Sequence, residues 1–218
     1  MTSLFDKLER LYATFGDAPK PTTIDGCPCC IENKNVCALL ATPLRDLSME
    51  DLSSYARSAF LTVGDLPDYL YFLPRIIEIS VTQKGWWPDA PIIGRAIAET
   101  MPLKWPAQRR EALLEVLHAT IEGVDPDWEG GGVIDDWICA IAKMGFEIEP
   151  FLHRLESIPK HLLAYYEANS GSLMKQRLNN AFWDAGEPGY DTVLGWITNP
   201  RVSDLIFRAY GLSPDQAE

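Results

Sequence analysis

The sequence predicts an all-α protein, either an irregular multi-helix bundle or an α-solenoid-like stack of about ten helices. Apolar residues recur at helical spacing nearly throughout the chain. Ser/Asp start signals and Gly/Pro stops bracket these stretches. No stretch alternates apolar and polar residues for long enough to make a strand, and the strand–helix–strand rhythm of an α/β fold is absent.

The first helix is read in "TSLFDKLERLYATFG", where Leu4, Leu8, Leu11, Tyr12 and Phe15 share one face. Ser3 with Asp6 forms its cap and Gly16 its stop. "NVCALLAT" gives a short helix ended by Pro43. Next, Ser48 and Asp51 open a helix with the stripe Leu52, Tyr55, Ala56, Ala59 and Phe60, closed by Gly64. "DLPDYLYFLPRIIEISV" carries Pro74 inside it, so either one helix kinks there or two short helices abut. Pro106 stands in the first turn of a helix that Gly123 follows. "GGVIDDWICAIAKMG", "EPFLHRLES", "PKHLLAYYEANSGSLMKQRLNNAFWDAG", "YDTVLGWIT" and "NPRVSDLIFRAYG" continue the same grammar. A fixed-period repeat is not visible, which weighs against a regular solenoid. The chain reads as a single all-α domain over 1–218, with its best hinge candidate at 123–132.

A chain of 218 residues, 47% hydrophobic and 23% charged, can bury a full core without disulfides. Its formal charge of −12, from 31 acids against 19 bases, argues against nucleic-acid binding and against docking on anionic membranes. It suits either simple solubility or a protein partner with a basic surface. The N-terminal segment mixes charges into its apolar residues, unlike a signal peptide, and no stretch is apolar for long enough to span a bilayer. The expectation is a cytoplasmic protein with reduced thiols.

Four of the five cysteines, Cys27, Cys29, Cys30 and Cys37, lie in "DGCPCCIENKNVC". Zinc takes four soft or borderline ligands in a tetrahedron. A turn after Pro28 can present Cys27 and Cys30, with Cys37 returning from the next helix. Cys29 or a remote His118, His153 or His161 would complete the shell, although adjacent Cys29 and Cys30 are awkward partners for one ion. The expected cofactor is structural zinc on Cys27, Cys29, Cys30 and Cys37. The alternatives are a redox pair at Cys27 and Cys30, without the strand–motif–helix setting such pairs use, or a loop of inert, part-buried thiols. Cys139 falls on an apolar stripe and is read as core.

Asp125, Asp127 and Glu129 alternate like the start of a calcium loop, but Pro126, Gly132 and Asp136 depart from that pattern. The preferred reading is an acidic inter-helix loop, with Asp135 or a neighbour near a helix start. The three histidines have no nucleophile assigned to them, and there is no phosphate loop, dinucleotide fingerprint or nucleophile elbow, so no catalytic residue is named. Trp86 and Trp87 in "KGWWPDAP" are candidate partner-binding anchors in a loop, with at least one ring expected to plug the core. Tyr165, Tyr166, Phe182, Trp183 and Trp196 are read as core at helical spacing.

The segments Cys27 to Cys30, Pro43 to Arg45, Thr62 to Asp65 and Phe72 to Arg75 together resemble a group of bacterial helical proteins. Those proteins share a Cys-Pro-Cys-Cys segment and a Phe-Leu-Pro-Arg helix. The resemblance covers about the first 80 residues. It implies one recurring helical module and supplies no activity. The leading functional expectation is a non-enzymatic protein-binding module, of the immunity type that masks a bacterial toxin. A thiol- or zinc-dependent enzyme centred on the cysteine loop, or a helical scaffold in a larger assembly, are the alternatives.

Overall fold

The computed structural model describes residues 3–187 and 189–211, apart from the side chain of Trp128. Among these residues the protein is all-α, with eleven α-helices, two short 3-10 turns and isolated bridges in place of strands. The chain divides into two compact units, Met1–Thr120 and Ile121–Glu218. No helix among the described residues is long and apolar enough to cross a membrane.

The first unit holds α1 (Leu4–Thr14), α2 (Asn33–Ala41), α3 (Met49–Ser58), α4 (Leu66–Thr82), α5 (Ala90–Glu99) and most of α6 (Ala107–Gly123). Helices α1 and α3 start where the sequence places them. The Ser3 and Ser48 hydroxyls accept the backbone N–H groups of Asp6 and Asp51, and both carboxylates return a bond to the serine backbone. Each such cap stabilises its helix by about 1 kcal/mol. Helix α4 is the spine of this unit: Tyr69, Phe72, Leu73, Ile76, Ile77 and Ile79 are all fully buried. Pro74 sits within one continuous helix, so the two-helix alternative falls away. Helices α1 and α3 pack on α4, and α2 and α5 pack on α3.

Helix α3 departs from expectation. It stops at Ser58, not just before Gly64, and Phe60 enters the left-handed region at φ 61°. The Leu61 and Thr62 amides bond back to the Ser58 carbonyl, and the Phe60 amide to the Val63 carbonyl. The resulting turn frees the backbone of Thr62 and Gly64 to pair with Asp25 and Cys27, which a continued helix would forbid.

The second unit contains α7 (Trp128–Lys143), α8 (Glu149–Glu156), α9 (Pro159–Leu173), α10 (Tyr190–Ile197) and α11 (Pro200–Ala209). Helix α9 packs against α7, α8 and α11. Gly130 to Gly132 belong to α7 and not to a loop. Asp127 is the N-cap, its carboxylate accepting the amides of Glu129 and Gly130. A Cβ on Gly131 would stand 2.1 Å from the Ala164 carbonyl oxygen, so glycine is what lets α7 and α9 approach so closely. The acidic residues at the helix start are Asp127 and Glu129, and Asp135 is buried further along α7. Burial raises its carboxyl above the usual range, while the neighbouring polar groups of Tyr165, Asn169, Trp183 and Asn180 pull the other way, Asn169 Nδ2 donating to it at 3.4 Å.

The long segment after Pro159 is helical only to Leu173, and residues 174–187 are irregular. Side chains take over from the helix ladder there. The Asn179 amide donates to Asn169 Oδ1 (3.0 Å), Asn180 Nδ2 to Asp136 Oδ1 (2.7 Å), and Lys143 Nζ to Glu187 Oε2 (2.6 Å). Tyr165 and Trp183 are core as expected, whereas Tyr166, Phe182 and Trp196 are only half-buried. Cys139 is fully buried, and that burial pushes its thiol up to about 12.

Asp68, in the first turn of α4, sets a pH dependence. Burial, reinforced by the charges of Asp65 and Asp25, raises its carboxyl from 3.8 to about 6. Between those values the folded chain holds a proton that the unfolded chain has lost, so stability falls as pH rises through that window. Asp68→Asn keeps the shape without the charge. At neutral pH it should melt about 2–6 °C above the parent protein, with the difference vanishing near pH 3, as scanning calorimetry across pH will show.

Candidate metal centre

The cysteine loop is held from both ends. The Cys27 amide donates to the Thr62 carbonyl (2.8 Å), and the Gly64 amide donates to the Asp25 carbonyl (2.7 Å). Gly26 and Val63 form the antiparallel bridge between these bonds. Ile24 and Ile31, on either side of the loop, are buried at 8% and 3% exposure. Gly26 must lack a side chain, because a Cβ there would meet Ile31 Cγ2 at 2.9 Å and Val63 at 3.3 Å. Gly64 adopts φ +66°, and its missing Cβ leaves room for the Tyr55 ring.

Within this clamp the chain turns tightly, with the amides of Cys30 and Ile31 both donating to the Cys27 carbonyl (2.8 and 3.2 Å). The turn brings the Sγ atoms of Cys27, Cys29 and Cys30 within 4.8 Å of one another. Cys27 and Cys29 stand 2.7 Å apart, and Cys29 and Cys30 3.6 Å. A tetrahedral ion with Zn–S bonds of about 2.3 Å holds its sulfurs about 3.8 Å apart, close to the Cys29–Cys30 spacing, and Cys27 and Cys29 would move apart to share it. Adjacent Cys29 and Cys30 therefore do converge, despite the awkwardness their sequence position suggests. Cys29 is exposed, and Cys27 and Cys30 are half-buried.

The electrostatics have the same origin. The Cys29 side chain and the backbone amides of Cys29 and Cys30 donate toward the Cys27 sulfur, which lowers its thiol below the ordinary value. Cys29 is pushed up to about 11, first by hydrogen bonding to Cys27 and Cys30 and then by their negative charge. Three thiolates this close repel one another, and a bound cation removes that conflict while releasing the protons.

Cys37 lies outside the trio, on α2 and exposed. Among the described residues no histidine or carboxylate joins the group, and Asp127, in the acidic segment, serves as the N-cap of α7. His161 Nε2 instead lies 3.2 Å from the Glu122 carbonyl oxygen, and His153 is exposed. Trp86 and Trp87 share the loop between α4 and α5 but divide its tasks. Trp86 has a buried Nε1 without a hydrogen-bond partner, and Trp87 is 49% exposed.

The arginines of the resembling segments buttress this unit. Arg45 binds Glu9 through both nitrogens (2.5 and 2.9 Å) and lies 3.9 Å over the Tyr12 ring. Arg75 reaches the Leu47 carbonyl and Glu78, and Glu78 also accepts the Tyr12 hydroxyl. Sequence reasoning missed the roles of Gly26, Thr62 and Gly64 as the clamp. Its only trace in the chain is the recurrence of glycine beside the cysteine segment and inside "TVGD".

Comparison with protein-family models, with curated proteins and with solved structures finds no match to this chain.

Gly26→Ala tests the clamp. The added methyl must displace Ile31 or Val63, so the melting temperature should fall, at a cost of about 1–3 kcal/mol, and the thiols should react faster with an alkylating reagent than in the parent protein.

Proposed function

We propose that this protein is a metal-binding helical protein whose Cys27, Cys29 and Cys30 hold a zinc ion in the first unit. The observation that carries this reading is the convergence of the three sulfurs on a loop clamped by backbone hydrogen bonds. A preformed trio costs little ordering entropy on binding. The ion's role here is structural, fixing the tight turn of the loop before α2 that backbone hydrogen bonds tie to the turn before α4. Zinc should bind in a 1:1 ratio, as elemental analysis of chain purified without chelator will read. Removing it should lower the melting temperature, because an ion that binds only the folded chain stabilises it by mass action. Cys27→Ser should abolish both the metal content and the chelator effect, whereas Cys37→Ser should leave them in place. Identical melting with and without chelator, together with no metal in the purified chain, overturns this reading.

A second reading rests on Trp87. A half-exposed indole on a chain of charge −12 suits a protein-binding module with a basic partner, and masking of a toxin is the specific form favoured here. The site then acts by occlusion, and the acid excess speeds encounter at low salt. Trp87→Ala should raise the dissociation rate from a partner recovered by pull-down and barely change the melting temperature. Trp86→Ala should do the reverse, lowering the melting temperature by about 4 °C or more. Equal effects of the two substitutions on both measurements would remove the division of roles.

A further inference from the structure

We propose that the Cys27–Cys29–Cys30 cluster is a three-coordinate site for a trivalent thiophilic metalloid of the arsenite class. This rests on the reading that the three thiols hold one ion, and it names the ion class that the geometry completes. Zinc prefers four ligands, and in a closed site all four come from protein. Here the loop offers three sulfurs within 4.8 Å of one another, and among the described residues no fourth cysteine, histidine or carboxylate joins them. Cys37 is the nearest cysteine along the chain and remains outside the group. A trivalent arsenic centre needs no fourth donor. Its lone pair occupies the remaining vertex of the tetrahedron, and three sulfurs satisfy its bonding. Soft sulfur ligands select soft ions, and three thiols with no harder donor beside them lean that way.

Access and charge fit the same ligand. Cys29 is exposed, and Cys27 and Cys30 are only half-buried, so the reagent can reach all three without opening the fold. Arsenite near neutral pH is the uncharged As(OH)3, which needs no steering field. The clamp fixes the loop between Thr62 and Gly64, so the sulfurs are gathered before the ligand arrives. The reaction balances without an oxidant. Three S–H bonds and three As–O bonds break, while three As–S bonds and three O–H bonds form. One As(OH)3 and three thiols give one As(SR)3 and three waters, and the oxidation states do not change. Each further sulfur adds as an intramolecular step, which is where a three-thiol site gains over a single cysteine.

The test uses the full, reduced chain with sodium arsenite as probe and zinc chloride in parallel. Native thiol titration should lose three reactive groups per bound arsenic, and intact-mass measurement should show one arsenic per chain. Cys27→Ser, Cys29→Ser and Cys30→Ser should each weaken arsenite binding by at least about tenfold, and Cys37→Ser should leave it unchanged. The thermal transition of each variant reports whether it folds. If a serine variant does not fold, the thiol count and mass of the parent protein decide alone. Zinc binding without arsenite binding overturns this inference and leaves the metal reading standing. Arsenite binding with three thiols protected but no zinc uptake supports it and removes the zinc reading. Protection of two thiols only, or a loss in Cys37→Ser equal to that in Cys27→Ser, overturns the three-sulfur assignment. Binding of neither probe overturns both.

Discussion

Two backbone hydrogen bonds organise the first unit. They join Cys27 to Thr62 and Gly64 to Asp25, across a stretch of chain that contains two helices. Without them the cysteine segment would be an unsupported surface turn, and its sulfurs would have no reason to stay together. With them, α3 must end early, Phe60 must enter a left-handed conformation, and Gly26 and Gly64 must remain without side chains. A backbone conformation of this kind costs on the order of 1 kcal/mol or more at a non-glycine residue. Burial of Ile24, Ile31 and Val63 around the clamp offsets that cost.

The same unit shows how charged groups brace an apolar spine. Arg45 and Arg75 converge on the α1–α4 contact from different stretches of chain, through Glu9, Tyr12 and Glu78. Exposed ion pairs contribute little, but Arg75 and Glu78 are well shielded, at 14% and 26% side-chain exposure. Shielding means that removing one partner strands the other, so the pair specifies the packing more than it strengthens it. Cys27 and Thr62 thus serve the clamp, and Arg45 and Arg75 serve this brace.

The second unit solves a different problem. Its irregular stretch after α9 is tied down by side chains: Asn169 Oδ1 accepts the Asn179 backbone amide, and Asp136 accepts the Asn180 side-chain amide. Asn169 is fully buried and serves as both donor and acceptor, bonding Asp135, the Tyr165 carbonyl and the Asn179 amide. A buried network of this kind stabilises only when its members are paired, and Asn169 is what pairs the buried Asp135 carboxyl with the stretch beyond α9.

The sequence by itself determined the helices and most of their starts. Capping pairs and apolar spacing are local signals, written within a few residues, and the Ser3 and Ser48 boxes, the α4 stripe and the buried Cys139 follow from them. It also singled out the cysteine segment as the candidate place to hold a metal ion. Only the tertiary structure decided which cysteines meet. Cys37 follows the motif at an inviting spacing, yet it stays outside the group, while adjacent Cys29 and Cys30 converge with Cys27. Tertiary structure also decided that α3 would stop at Ser58, that the glycines after Asp127 would join a helix, and that residues beyond Leu173 would leave one. In each case a distant partner outbid the local preference: Asp25 and Cys27 for the α3 turn, the Ala164 backbone for Gly131, and Asn169 for the segment after α9. Local propensity differs by about 1 kcal/mol per residue or less, and a single backbone pairing or close helix contact made across the fold is enough to override it.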